Sequence, residues 1–249
     1  MTVLLLFPVI IATVYEYTRI NENEELISTV YKDQLETIVS SVNSYTQDIA
    51  DNWSTRLELW LKNSSDSIRL KKLVAENQSV KNIILVNENN EFHTTHGETT
   101  NPGLFHALDS VLKKHASEVE QLRYYYKNGY RKFISISIPE NKTFLLFIAE
   151  GNGKQLCIFL VNIDLLQFLQ NQLSPRIQSI AQEHFRIDLI HKETGSLLIT
   201  TEKEPTEIKK FDQEGEMWFF PNIRIGISLK NQTIAGMANK RIKESLMLM

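Results

Sequence analysis

The chain has 249 residues and a formal net charge of -3, from 27 Lys and Arg against 30 Asp and Glu, which gives no electrostatic case for nucleic acid as a partner. Hydrophobic content of 42% and charged content of 23% are those of a folded protein with one large core or two modest ones. A single cysteine, Cys157, excludes a disulfide scaffold, and its place in the apolar run Leu156 to Val161 makes it a small buried hydrophobe rather than a nucleophile.

The chain opens on an apolar run, Val3 to Val14, shorter than the roughly 17 to 25 residues that span a bilayer. No Lys or Arg precedes it and no small-residue cleavage site follows, so residues 1–15 are expected to be the end of a transmembrane helix; a cleaved signal segment is the other reading. The run, which holds Pro8, continues into an amphipathic stretch that no Pro or Gly interrupts. Its apolar positions Ile27, Tyr31, Leu35, Ile38, Val42, Tyr45, Ile49, Trp53, Leu57 and Trp60 are spaced by threes and fours. A helix over Glu24 to Trp60 would be roughly 55 Å long, enough to carry a displacement towards a membrane, though the same pattern suits a bundle helix that fills a core.

A short helix is expected over Leu61 to Asn77, broken near Asn63-Ser-Ser65. Val80 to Val86 and Glu91 to Thr95 form a hairpin around Glu88-Asn-Asn90. A helix over Leu104 to Val119 follows Asn101-Pro-Gly103. Strands are expected at Leu122 to Lys127, Lys132 to Ile138, Thr143 to Glu150 and Gln155 to Val161, joined at Asn128-Gly129, Pro139-Glu-Asn141 and Gly151-Asn-Gly153. A helix over Asp164 to Glu183 is interrupted at Ser174-Pro175. The strands Phe185 to Ile190 and Leu197 to Thr201 then flank the turn Lys192-Glu-Thr-Gly195, and Glu216 to Phe220 and Ile223 to Leu229 meet at Pro221-Asn222. A last helix runs over Gln232 to Met249, where the basic Lys240-Arg-Ile-Lys243 precedes the start of another apolar run.

The order of hairpin, link and further antiparallel strands occurs twice. With the run Ile187 to Thr201, the run Ile223 to Ile234 and the basic cluster before an apolar start, this resembles the double Cache sensor domain of bacterial membrane-bound sensor histidine kinases. The resemblance implies an α+β fold, a long N-terminal helix carrying two stacked PAS-like antiparallel-sheet modules. It divides the chain into a partial transmembrane helix (1–15), a long signalling helix (16–62), a membrane-distal module (63–163), a membrane-proximal module (164–230) and a helix leading into a second transmembrane segment (231–249). It implies a ligand-sensing, non-enzymatic domain outside the cytoplasmic membrane, dimeric and anchored through both termini, with a small molecule or periplasmic protein as partner and no cofactor. The output would be a histidine kinase, a chemoreceptor or a cyclic-dinucleotide enzyme. The Tyr, Arg, Trp and Asp constellation of amino-acid-sensing members does not fall on these residues with its spacing.

Within that frame, strand alternation puts Tyr124 and Tyr126 on one face, and on the next strand Phe133, Ser135 and Ser137 opposite Ile134, Ile136 and Ile138. The isoleucine face is expected to pack on the long helix. Tyr124, Tyr126, Arg131, Phe133, Ser135 and Ser137 would then look towards a ligand, although such a face also serves as an ordinary solvated sheet surface. His93-x-x-His96 lacks further spaced ligands, and solvated loop histidines are expected rather than metal. Nucleophile elbow, Walker, Rossmann and H-E-x-x-H motifs are absent from the sequence. An exported solute-binding protein is the competing class.

Overall fold

A computed structural model describes residues 2–63, 67–97, 102–138, 142–181, 184–202 and 211–230, with side chains from Thr29 onward except at Ser67 and Pro102. The expected terminal helix over 231–249 and the side chains of the expected membrane anchor lie outside the described residues. Among the described residues no helix is long and apolar enough to cross a membrane.

Helix α1, Thr2–Lys62, runs 61 residues without a break, a rod of roughly 90 Å. Its stripe is the spine of the molecule: Leu35, Ile38, Val42, Trp53 and Leu57 are buried, with Tyr45, Ile49 and Trp60 packed beside them. Helix α2, Ser67–Glu76, folds back along it. There Trp53 Nε1 donates to Asn77 Oδ1 at 2.9 Å, joining the rod to the start of the first sheet.

That sheet has five antiparallel strands in the order β2-β1-β5-β4-β3, from β1 Val80–Val86, β2 Phe92–His96, β3 Ile134–Ile138, β4 Lys142–Glu150 and β5 Leu156–Ile163. It is buried on both faces. Ile83, Leu145, Phe147, Phe159 and Val161 meet α1, while Ile84, Ile136, Phe144, Leu146 and Leu160 meet Leu108, Val119 and Leu122 from helices α3, Pro102–Lys114, and α4, Ala116–Lys127. Cys157 is buried on β5, and burial pushes its thiol pKa up.

Three expectations fail here. Leu122 to Lys127 is helix, not strand, because Val119, Leu122 and Tyr126 repeat at helical spacing and seal the far face of the sheet. Asn128-Gly129 accordingly ends a helix instead of turning a hairpin: Gly129, at φ 80°, donates to Tyr126 O and Tyr130 donates to Tyr125 O, the two bonds of a Schellman cap. The faces of β3 are also reversed. Ile136 and Ile138 pack under α3 and α4, and Phe133 turns towards α1.

From β5 the chain enters α5, Leu165–Phe168, capped by Asp164, which accepts from Gln167 N at 3.1 Å. A π turn over Leu169–Leu173 leads without a gap into α6, Ser174–Ala181. The expected break at Ser174-Pro175 is thus absorbed: Pro175 has no N–H for the usual bond, and the wider turn accommodates the carbonyl it leaves. The second sheet has the order β7-β6-β9-β8, from β6 Phe185–His191, β7 Leu197–Thr200, β8 Gln213–Glu216 and β9 Ile223–Leu229. The expected strand at Glu216 to Phe220 ends at Glu216, and Met217, Phe219 and Phe220 turn into the core. Ile187, Leu189, Ile225 and Ile227 join the same apolar cluster as the first sheet, so the two sheets share one core along α1.

Candidate functional site

The residues expected to share one ligand-facing surface are dispersed by the fold. Tyr124 lies on α4 and is 67% exposed, its ring edge-on to Tyr125. Phe133 stands edge-on to Phe147 and Phe219, with centroids at 5.6 and 5.4 Å, and so bridges the two sheets within the core.

Tyr126 and Arg131 converge on a residue the sequence reading passed over, Glu58 of α1. Tyr126 Oη donates to Glu58 Oε1 at 3.0 Å and accepts from the backbone N–H of Glu150 at 3.2 Å. Lys62 donates to Glu58 Oε1 at 2.6 Å, while Arg131 donates to Glu58 Oε2 and to Thr55 Oγ1. Burial alone would raise the Glu58 pKa, but the Lys62 and Tyr126 hydrogen bonds and the Arg131 charge outweigh it and hold the carboxyl below its ordinary range. Tyr126 moves up, through burial and its bond to Glu58.

A second polar clamp joins α1 to the other sheet. Asn43, 1% exposed, donates from Nδ2 to Glu216 O and accepts at Oδ1 from Trp218 N, both at 2.9 Å. Asn43, Thr46, Ala50, Ser54 and Glu58 are all buried and form a seam beside the apolar stripe. Their spacing of three, four, four and four was the signal available in the sequence.

Ser135 and Ser137 reach a different place, a cleft of about 900 Å³ between the sheets. One wall is the end of the five-stranded sheet, with Lys81, Asn82, Ser135, Ser137, Thr143 and Asn162. The other is the turn end of the four-stranded sheet, with His191, Thr194 and Asn222, over an apolar floor of Leu165, Leu169, Leu198 and Ile223. Asn162 is 6% exposed, and strand alternation puts it on the sheet face of Phe144 and Leu160, opposite Ser135, Ser137 and Thr143. Asn82 is its cross-strand partner. Gly97, at φ 110°, lies so close to Asn82 that a Cβ there would come within 1.8 Å of Oδ1.

Of the charged side chains that line the cleft, Lys81 and Asp164 face each other, while Lys142, half-buried, and Glu193, exposed, add one charge of each sign. Asp164 Oδ2 lies 3.6 Å from Lys81 Nζ, which donates to Gln167 Oε1 at 2.9 Å, and Asp164 Oδ1 is taken by the α5 cap. His191 Nδ1 accepts from Thr194 N at 3.4 Å. The lining thus supplies amides and hydroxyls for holding a molecule. A groove of about 850 Å³ also opens between Val30 to Ile38 and the second sheet; of the polar groups α1 lends it, Asp33, Gln34 and Thr37 are exposed and Tyr31 is half-buried. Among the described residues no group of His, Cys, Asp or Glu could hold a metal ion.

No protein-family model and no curated protein matches the sequence. Among solved structures, the fold is similar to an extracellular ligand-binding receptor from Desulfohalobium retbaense, at 16% identity and TM-score 0.39 over 78% of this chain, which spans 39% of the receptor's length. It is also similar to the isoleucine-bound sensory domain of the Campylobacter jejuni chemoreceptor CcmL, at 11% identity and TM-score 0.33, over 88% of this chain and 96% of that one. At that degree of similarity neither structure identifies what this chain binds.

Proposed function

We propose that the chain is the extracytoplasmic sensing domain of a transmembrane signalling protein, binding a small molecule in the cleft between its two sheets and passing the change to α1. The observation that carries this reading is the cleft itself, about 900 Å³ between the two sheets, with the hydroxyls of Ser135, Ser137 and Thr143 beside an apolar floor where a small molecule can be held. Ser135 and Ser137 are ligand contacts in this reading. Tyr126 and Arg131 act one step away, as the grip of the distal module on the rod, while Phe133 keeps the modules in register and Tyr124 lies outside the site.

The mechanism follows from the two clamps. A ligand in the cleft touches both sheets, and Asn43 and Glu58 bind each sheet to a different part of α1. Closing the cleft therefore moves one clamp relative to the other. A ligand that binds the closed form ~1.4 kcal/mol better shifts the ratio of states tenfold. The output is a histidine kinase in our first reading, and a chemoreceptor or cyclic-dinucleotide enzyme uses the same device. Membrane attachment through both termini, a dimer formed along α1 and a periplasmic or exterior location complete the proposal.

The test is a thermal-shift screen of amino acids, organic acids, sugars and nucleosides on the intact chain, followed by a distance measurement between labels at Val30→Cys and Lys113→Cys. Cys157 is buried and stays unlabelled. A compound that binds through the cleft should change the label distance by ~1 Å or more. Failure of every compound to bind there, or binding with no change in that distance, would sink the proposal.

A further inference from the structure

We infer that the C-terminal turn of α4 is a second binding surface, one that takes an acidic polysaccharide. Its residues line no part of the cleft.

The segment Arg123-Tyr-Tyr-Tyr-Lys-Asn-Gly-Tyr-Arg-Lys132 carries four cations and four tyrosines and no carboxylate, in a chain whose net charge is -3. The fold sorts these residues in two directions. Tyr126 and Arg131 turn inward to Glu58, while Tyr124, Tyr125 and Tyr130 are 67%, 39% and 63% exposed. The turn is held by α4 on one side and by Arg131 on the other, and the Schellman cap, in which Tyr130 N donates to Tyr125 O, closes it. Three outward rings thus stand on a fixed backbone, so a partner has little left to order.

The cations decide the partner. Arg123 is held by Glu120 and by Leu156 O, and Arg131 by Glu58. Lys127 and Lys132 are exposed and form no ion pair among the described residues, and Lys127 lies one helical turn from Tyr124. Two uncommitted ammonium groups beside three rings suit a polymer rich in rings and sparse in charge. The C–H faces of sugars are attracted to the negative faces of phenol rings, and phenol hydroxyls both donate to and accept from sugar hydroxyls. One carboxylate on every sugar, or on every second one, answers the lysines. Nucleic acids and acidic peptides crowd more negative charge onto the same length than two lysines match.

The test titrates the intact chain by calorimetry with oligosaccharides of hyaluronan and polygalacturonate, and in parallel with dextran, polyglutamate and a thymidine oligonucleotide. At least one acidic polysaccharide should bind, and raising the salt from about 0.05 M to about 0.5 M should weaken it about tenfold. Tyr124→Ser with Tyr130→Ser should weaken it about tenfold and leave Tm unchanged, because both rings are exposed. Lys127→Gln with Lys132→Gln should remove the salt response. Dextran binding as tightly as the acidic polysaccharides, or an unchanged affinity in the tyrosine variant, overturns the inference. Polyglutamate or the oligonucleotide binding as tightly as the polysaccharides, or in their place, assigns the turn to another class of partner and also overturns it. So does failure of all five to bind.

Discussion

The phenol of Tyr126 lies 3.0 Å from the carboxylate of Glu58, so helix α4 is fastened to helix α1 across the edge of the five-stranded sheet. Arg131 and Lys62 complete the fastening, and Glu58 is only 8% exposed. Glu58→Gln should cost about 1–3 kcal/mol, because it leaves Arg131 without its carboxylate. Thermal denaturation should report this as a fall of about 3–10 °C in Tm. A double-mutant cycle with Arg131→Ala should show coupling, and strict additivity would deny the contact its role.

The same carboxyl gives a pH signature. Its pKa is lowered in the folded state, so its contribution is present above the unfolded value, near 4.5, and is lost as pH falls through the lower folded value. Tm of the wild type should therefore drop more steeply than that of Glu58→Gln as the solution is acidified below that point. Parallel acid limbs for the two proteins would contradict the assignment.

Asn43→Ala should remove the second fastening and strand the Glu216 carbonyl and the Trp218 amide, at about 1–3 kcal/mol. Hydrogen exchange localises the effect: the Trp218 amide should lose protection more than the amides of β1 and β5. Uniform loss across both sheets would mean that Asn43 serves general packing.

Gly97→Ala should destabilise by about 1–3 kcal/mol, since φ of 110° disfavours any side chain and the new methyl would meet Asn82 Oδ1 and the Lys81 carbonyl. Because Asn82 lines the cleft, ligand affinity should fall as well. Unchanged stability and affinity would show that the turn relaxes freely.

Asn162→Leu separates a structural role from a binding one. The Asn162 side chain makes no hydrogen bond that the fold depends on and sits beside Phe144 and Leu160, so this near-isosteric apolar change should leave stability unchanged or raise it by up to about 1 kcal/mol. A large loss of stability in the unliganded protein would instead make Asn162 a structural residue.

The long helix, both hairpins and the two antiparallel sheets were legible because each rests on a local period. What misled were segments where local signals conflict. The three tyrosines after Leu122 favour a strand by propensity, yet their spacing with Val119 follows a helix, and Asn128-Gly129 suits a hairpin or a helix end equally well. Alternation along β3 separated its faces correctly. Which face meets α1 is not local information, because α3 and α4 cover the other side with equally apolar residues. The cleft was beyond reach for the same reason: Asn82, Ser135, Asn162 and Asn222 come from strand ends and turns that only the topology brings together. Glu58 and Asn43 could have been found as polar positions in a helical seam.

The spacing of the two fastenings has a mechanical consequence. Asn43 and Glu58 are about four turns apart, ~22 Å along the helix, while the end at Thr2 lies ~60 Å beyond Asn43. If Glu58 shifts sideways by ~1 Å with its sheet and Asn43 acts as fulcrum, the rod tilts by ~2.5° and its far end swings by ~3 Å in the opposite sense. The helix would work as a lever with nearly threefold gain, and moving the fulcrum along the seam would change that gain without touching the cleft.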